Sequence, residues 1–305
     1  MILPFYNFVI RIAWLFNGVL VLSSFGLIRL IKSGKEIRLS SAHKLYLKDT
    51  LENFDFYFGG VEAPQSNKMI IVDYSKPAWH DVHGFDLMPV HFNSVSEPII
   101  TTKQYIDFAN LKNGSIAIDL GAYSALTSIL LDQCVGSDGL VIAVEADENN
   151  LKSCIKNLSL YKKITNRNIE LINAAIWEHE NGIYFSAEGN MGSSAADVVG
   201  DDRSECIKVK TVTLSGIAKK YNLSNIDFIK CDIEGAEEIA LNNQKFFDKY
   251  HPKLVIECHY INGVSTGERC KTLMERFGYK CEYREQQGYP LPLLFCIPHD
   301  IHRSI

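Results

Sequence analysis

Between Lys230 and Glu237 the chain sets three acids and a lysine within eight residues: Lys230, Asp232, Glu234 and Glu237. The run before them, IDFIKCD (226–232), is apolar enough for a buried strand. Strand alternation puts Lys230, Asp232 and Glu234 on one side while the chain stays extended. Carboxylates so placed can draw a proton from a reacting hydroxyl, and the lysine can balance their charge. Acids at a helix N-terminus also suit the helix dipole. That accounts for Glu237 and Glu234, and less well for Asp232 and Lys230. KLVIECHY (253–260) ends in Glu257 and His259, an acid beside an imidazole that titrates near neutrality. SIAIDL (115–120) ends in Asp119, with Gly121 just beyond, where a backbone without a side chain can approach a ligand. GLVIAVE (139–145) ends in Glu145, and an acid at such a tip can accept both hydroxyls of a ribose.

These groups need a scaffold that gathers strand ends. Apolar runs at 115–120, 139–145, 169–173, 226–232 and 253–260 alternate with helical stretches at 124–134, 147–161 (Asp147 as N-cap) and 267–277. Runs at 183–188 and 206–214 read as an inserted hairpin-like pair, and 279–285 with 291–298 as two antiparallel strands. The alternation predicts an α/β fold with a mostly parallel sheet covered on both faces. Ligands in such sheets bind beyond the carboxyl ends of the strands, where strand order reverses. The loop GAYSAL (121–126) carries one glycine and lacks the G-x-G-x-x-G fingerprint of pyrophosphate binders. A phosphate-free nucleoside fits better, and S-adenosylmethionine is the common one; an ordinary βα turn is the plain alternative.

A net charge of −5 speaks against a nucleic-acid partner, and 47% hydrophobic with 22% charged residues against disorder. Eight cysteines, none in a C-x-x-C pair, point to reduced thiols. Between Arg11 and Arg29 lie 17 uncharged residues. As a helix they would hold the arginines about 27 Å apart, close to the roughly 30 Å hydrocarbon layer. A membrane-anchoring helix is therefore expected over 1–38, spanning or lying in the interface. Arg29, Lys32, Lys35 and Arg38 behind it put the remainder on the cytoplasmic side. Residues 39–112 are expected to form an extension that binds or caps the acceptor, and 113–305 the catalytic domain. In the extension, His80, His83 and His91 with Asp81 and Asp86 could ligate a metal, cover a pocket or help bind a substrate; His80 and His83 are assigned to substrate, and no metal is expected.

The runs DLGAYSALTS, VIAVEADENN with Asn157 beyond it, KCDIEGAEE and KLVIECHY resemble the FkbM family of S-adenosylmethionine-dependent methyltransferases over about 96–298. The resemblance implies a Rossmann-like class I methyltransferase: a seven-stranded, mostly parallel sheet whose last strand is antiparallel, transferring methyl to a hydroxyl oxygen. It places Asp119, Gly121 and Ala122 along the methionine part of the cofactor and Glu145 on the ribose. Ala146 and the Asn173–Ala174–Ala175 turn flank the adenine. Asp232, Glu234 and His259 are the expected catalytic residues, with Lys230 and Glu257 on the acceptor. Asp232 or His259 is the expected base, while Glu234 orients the acceptor or holds Lys230. Tyr123 and Ala125 stand where family members usually carry Asn and Gly, which implies a bulkier loop. With the anchor, the expected acceptor is a sugar on a lipid-linked glycan or glycolipid. A membrane-tethered scaffold with a degenerate methyltransferase fold and a nicotinamide oxidoreductase are the alternatives, and homo-oligomer formation stays open.

Overall fold

The computed structural model describes residues 12–42, 46–66, 69–96, 98–187, 191, 193–195, 206–261, 263–286 and 289–299. The chain forms two compact units, Met1–Ile99 and Ile100–Ile305.

The first unit overturns the expected membrane helix. Its described part opens with four strands: β1 (Ile12–Phe16), β2 (Val19–Ser24), β3 (Leu27–Lys32) and β4 (Lys35–Ser40). Asn17 and Gly18 have φ of 47° and 77°, and Ser33 and Gly34 49° and 79°. Paired positive φ values make the tight two-residue turns that match strand twist, and Asn-Gly is the strongest short signal for one. The apolar stretch is therefore cut into pieces of 5 or 6 residues, far short of the roughly 20 that a helical span needs. Among the described residues no helix is long and apolar enough to cross a membrane. Residues 1–11 lie outside the described part.

The basic residues taken as a cytoplasmic flank are instead paired within the unit. Arg29 donates to both oxygens of Glu36 at 2.6 and 2.7 Å, and Arg38 to Glu36 Oε1 at 2.7 Å. Burial would raise the fully buried Glu36 carboxyl, but the two guanidiniums outweigh it and hold it below its ordinary range. Lys32 and Lys35 both reach Asp55, at 2.7 and 3.0 Å. Asp55 lies in α2 (Phe54–Phe58), just after α1 (Leu47–Glu52). Short β5 (Gln65–Ser66) and β6 (Met69–Tyr74) complete a six-stranded sheet of order β1-β2-β3-β4-β6-β5. β7 (Ala78–Val82) and β8 (Phe85–Phe92) form a separate hairpin. Val21, Leu30, Ile37, Leu39, Tyr57 and Tyr74 fill the core.

Helix α3 (Ile99–Ala109), whose first residue closes the first unit, leads into the second, which then alternates: β9 (Ile116–Leu120), α4 (Leu126–Val135), β10 (Leu140–Glu145), α5 (Glu148–Thr165) and β11 (Glu170–Asn173). An inserted region holds β12 (Ala175–Ile176), β13 (Ile183–Ser186), β14 (Ser194–Ala195), β15 (Cys206–Val209) and β16 (Thr211–Val212). In it β13 pairs antiparallel with β15, the hairpin-like pair read from the sequence. Then follow α6 (Leu214–Lys220), β17 (Phe228–Cys231), α7 (Glu237–Leu241), α8 (Gln244–Tyr250) and β18 (Lys253–Glu257). The small hairpin β19 (Tyr260–Ile261) and β20 (Val264–Ser265) leads to α9 (Thr266–Arg276), β21 (Tyr279–Gln286) and β22 (Tyr289–Pro298).

The main sheet has seven strands in the order β11-β10-β9-β17-β18-β22-β21. It is mixed, with β22, the last strand, alone running against the others. The pairs from β11 to β18 are parallel, but β22 runs against both β18 and β21. The cause is local: β21 and β22 are close in sequence and can only meet as an antiparallel hairpin. β17 is buried along its whole length and β9, β10 and β18 along nearly all of theirs, the pattern of strands covered on both faces. From β9 the chain first builds outward through β10 and β11, then returns to add β17 on the other side. That reversal puts the crevice between the carboxyl ends of β9 and β17.

Candidate active site

Asp147 caps α5, accepting the N–H groups of Asn149 and Asn150 at 2.7 and 3.2 Å. This fixes the turn after β10, whose last residue is Glu145. Glu145 Oε2 accepts the Tyr123 N–H at 2.7 Å and Oε1 the Asp147 N–H at 2.8 Å. Burial pushes this carboxyl up to about 7, against the pull of those two N–H groups. Each oxygen keeps a second lone pair. The register sets Glu145 beside Asn173, and Ala146, Ala174 and Ala175 line the neighbouring turns as small buried residues.

The loop after β9 is bolted to β10. Gly121 and Ala122 both donate to Val144 O at 3.0 Å. From α5, Asn157 Nδ2 donates to Ser124 O at 2.8 Å and Cys154 Sγ to Tyr123 O at 3.1 Å. Gly121, Tyr123 and Ala125 all have positive φ, 78°, 51° and 63°. Tyr123 and Ala125 thus occupy left-handed positions, which Asn or Gly would hold at lower cost.

Lys230 stands at the crossing point of the sheet and is buried. Its Nζ lies 3.3 Å from Asp119 Oδ1 and 3.2 Å from Asp232 Oδ2, and donates to Gly121 O at 2.6 Å. Burial pulls the ammonium down, but Asp119 and Asp232 outweigh it and raise it well above the ordinary lysine value. Asp119 is fully buried; its Oδ2 accepts the Ser128 hydroxyl at 2.6 Å, and Oδ1 has only the off-line ammonium. Asp119 and Lys230, expected on cofactor and acceptor, are therefore an internal strut joining the β9 loop to the turn after β17.

That turn carries the remaining acids. Glu234 has a φ of 55°, a strain of a kind stored at functional sites, and Gly235 follows it at 107°, a value open to glycine. His259 Nδ1 meets Glu237 Oε1 at 2.9 Å. Its Nε2 faces Glu234 Oε2 at 3.5 Å and Asp232 Oδ1 at 3.7 Å. Burial opposes a charge on His259, but Glu234 and Glu237 win and raise it well above its ordinary value. Burial pushes Glu234 up to about 8 and Glu257 to about 7. Glu257 Oε2 accepts the Tyr105 hydroxyl and Oε1 the Gln286 amide, both at 3.3 Å.

The expected residues Asp119, Gly121, Glu145, Lys230, Asp232, Glu234, Glu257 and His259 thus meet at the ends of adjacent strands. It is Asp232, and not Glu234, that holds Lys230. His80 and His83 belong to the first unit: His80 packs on Tyr74 and Phe92, and His83 Nδ1 bonds Gly59 O at 2.8 Å. Sequence reasoning gave Glu237 only to the helix dipole and did not foresee Tyr105 or Gln286, whose partners are 152 and 29 residues away. Among the described residues, one group has a spacing that could hold a metal ion: Asp232, Glu257 and His259, with ligand atoms within 4.8 Å. Lys230 and the His259 imidazolium already supply positive charge there.

The arrangement suits a nucleoside without phosphates. A buried acid with open lone pairs stands at the tip of β10, small residues flank it, and a cluster rich in carboxylates suits a cationic reacting centre. The methyltransferase FkbM domain family matches residues 119–281, just over half of the chain. No curated protein matches the sequence. Solved structures similar to the chain include the methyltransferase FkbM from Methylobacillus flagellatus KT, at 18% identity and a TM-score of 0.43, covering 64% of this chain and 50% of that one. The chain thus corresponds to half of that protein's length. A SAM-dependent methyltransferase from Aquifex aeolicus aligns at 12% identity and a TM-score of 0.37, covering 65% and 92%. Aeropyrum pernix fibrillarin, solved with natively bound S-adenosyl-L-methionine, aligns at 13% identity and a TM-score of 0.39, covering 94% and 99%.

Proposed function

The chain belongs to the FkbM methyltransferase family, and on that premise we propose that it is an O-methyltransferase that uses S-adenosylmethionine to methylate a sugar hydroxyl. The observation that carries this reading is the pair Glu234–His259 at the rim of the crevice, 3.5 Å apart, on the same edge of the sheet as Glu145, which ends β10 on the far side of β9. When bound, S-adenosylmethionine supplies an activated sulfonium methyl.

The chain's own residues do the rest. Glu145 would hold the ribose through its open lone pairs, with Gly121 and Ala122 along the methionine portion and Ala146, Asn173 and Ala174 around the adenine. An alcohol is a poor nucleophile until its proton is drawn off, and a base whose pKa lies near the working pH does this best. Glu234, at about 8, meets that condition. It takes the hydroxyl proton as the oxygen–methyl bond forms and the sulfur–methyl bond breaks. His259, held as an imidazolium, is the wrong protonation state for a base and instead steadies the carboxylates around it. Asp232, neutralised by Lys230, orients the acceptor with Glu257. The positive charge these acids need comes from Lys230 and His259, so no metal step is required.

The sugar acceptor rests on the family. Its lipid link and the cytoplasmic placement rested on an N-terminal helix, and the strands over 12–40 remove that support. Incubation of the full chain with methyl-labelled S-adenosylmethionine and hydroxyl-bearing glycans tests the proposal. Label in an ether-linked methyl on the sugar is the expected result. Label on nitrogen or carbon only would refute it.

A further inference from the structure

Glu237, the first residue of α7, is fully buried and touches no solvent. One of its oxygens does several tasks. Oε1 accepts the Gly235 N–H at 3.0 Å, the Ile233 N–H at 3.4 Å and the His259 ring nitrogen Nδ1 at 2.9 Å. Burial would raise this carboxyl, but His259 outweighs it and keeps it below the ordinary glutamate range. An ionised carboxylate only accepts, so His259 must present a proton on Nδ1. The His259 backbone is pinned independently, its N–H donating to Thr266 Oγ1 at 3.0 Å. The ring therefore has one orientation, with Nε2 turned toward Glu234 and Asp232.

We infer that Glu237 is a positioning residue for proton handling, acting through His259 and through the turn that carries Glu234. Its single oxygen fixes the Nδ1 proton and the tilt of the imidazolium and, at the same time, the 233–235 turn in which Glu234 sits at positive φ. A histidine held by a carboxylate on one nitrogen and working through the other is a recurring device for orienting an imidazole. The groups facing His259 are Asp232 and Glu234 from the turn after β17, Glu237 from α7 and Glu257 from β18, with Lys230 beyond Asp232. Of these, only Glu237 meets Nδ1 at hydrogen-bond distance. The inference rests on the reading of the site as a hydroxyl-methylating centre.

The test is nitrogen-15 NMR of the His259 ring in the full chain, its signals assigned by their loss in H259Q, with titration of wild type and E237Q. S-adenosylhomocysteine affinity is measured by calorimetry in both. The wild-type ring should carry a proton on Nδ1 between about pH 6 and 8. E237Q keeps the shape and removes the charge, and should lower the His259 titration midpoint by about one pH unit or more. Its affinity for S-adenosylhomocysteine should stay within about threefold of wild type, since Glu145 is held by the Tyr123 and Asp147 N–H groups and not by Glu237 or His259. A wild-type ring with a bare Nδ1, or an E237Q titration that does not move, overturns the inference; if E237Q does not fold, the wild-type spectrum decides alone. Wild-type protein that binds no S-adenosylhomocysteine would instead refute the methyltransferase reading, so the two failures are distinguishable.

Discussion

Gly121 and Asp232 meet backbone to backbone: a β-carbon on Gly121 would fall 1.8 Å from the Asp232 carbonyl oxygen. The loop after β9 and the turn after β17 therefore touch at this one point, with no room for a side chain between Gly121 and the Asp232 carbonyl. Lys230 locks the same junction from inside, bonded to Gly121 O and paired with Asp232. The loop after β9 and the acidic turn thus form one rigid piece, which in-line transfer between two groups bound there would need.

G121A should be strongly disruptive. The added carbon clashes with backbone, which cannot swing aside, and φ of 78° is strained for alanine. A loss of at least about 2 kcal/mol in urea unfolding is expected. Stability equal to wild type would show that the two loops can separate freely.

K230M removes the ammonium and leaves Asp119 buried beside Ser128 alone. Breaking a buried pair on one side costs about 3–5 kcal/mol, so this variant should unfold at much lower denaturant. A change confined to acceptor KM, with stability intact, would return Lys230 to the acceptor-binding role that the sequence implied.

If Glu234 is the base, methyl transfer should rise with pH and level off above about 8, because only the ionised carboxylate can take the proton. E234Q should remove that rise and lower kcat about a hundredfold or more. A pH profile shared by wild type and E234Q would assign the proton to another group.

The raised carboxyls also set a stability trend. Glu145, Glu234 and Glu257 bind protons more tightly in the folded chain than their ordinary value of 4.5. Their contribution is complete below about pH 4.5 and is lost as pH rises through 7 to 8. Their share of the unfolding free energy should therefore fall across that window, and E145Q should flatten the slope in urea titrations at stepped pH. An unchanged slope would mean that Glu145 ionises in the folded protein as it does in water.

Much of the site was legible because an acid ending an apolar run is a sharp signal. Asp119, Glu145, Asp232 and Glu257 all lie at or just past strand ends, where the alternation put them. Their roles were less legible. Nothing in the spacing of Asp119 and Lys230 says that they face each other across β9 and β17, 111 residues apart, a pairing that only the sheet register creates. Glu237 looked like helix-dipole decoration because its partner His259 arrives from a different strand. The N-terminal reading failed for a local reason. Seventeen uncharged residues passed for a helix, while Asn17-Gly18 and Gly26 carried the turns. The uncharged run hid a hairpin signal that outranks hydropathy at that length.

The account stands or falls on Glu145 gripping a phosphate-free adenosyl ligand. The most direct measurement is calorimetric titration of the full chain and of E145Q with S-adenosylmethionine. Wild type should bind with a Kd between about 1 μM and 1 mM, and E145Q about tenfold to a hundredfold more weakly, having lost charged hydrogen bonds to the ribose. Wild type that takes up no S-adenosylmethionine, or E145Q that binds it equally well, would contradict the account.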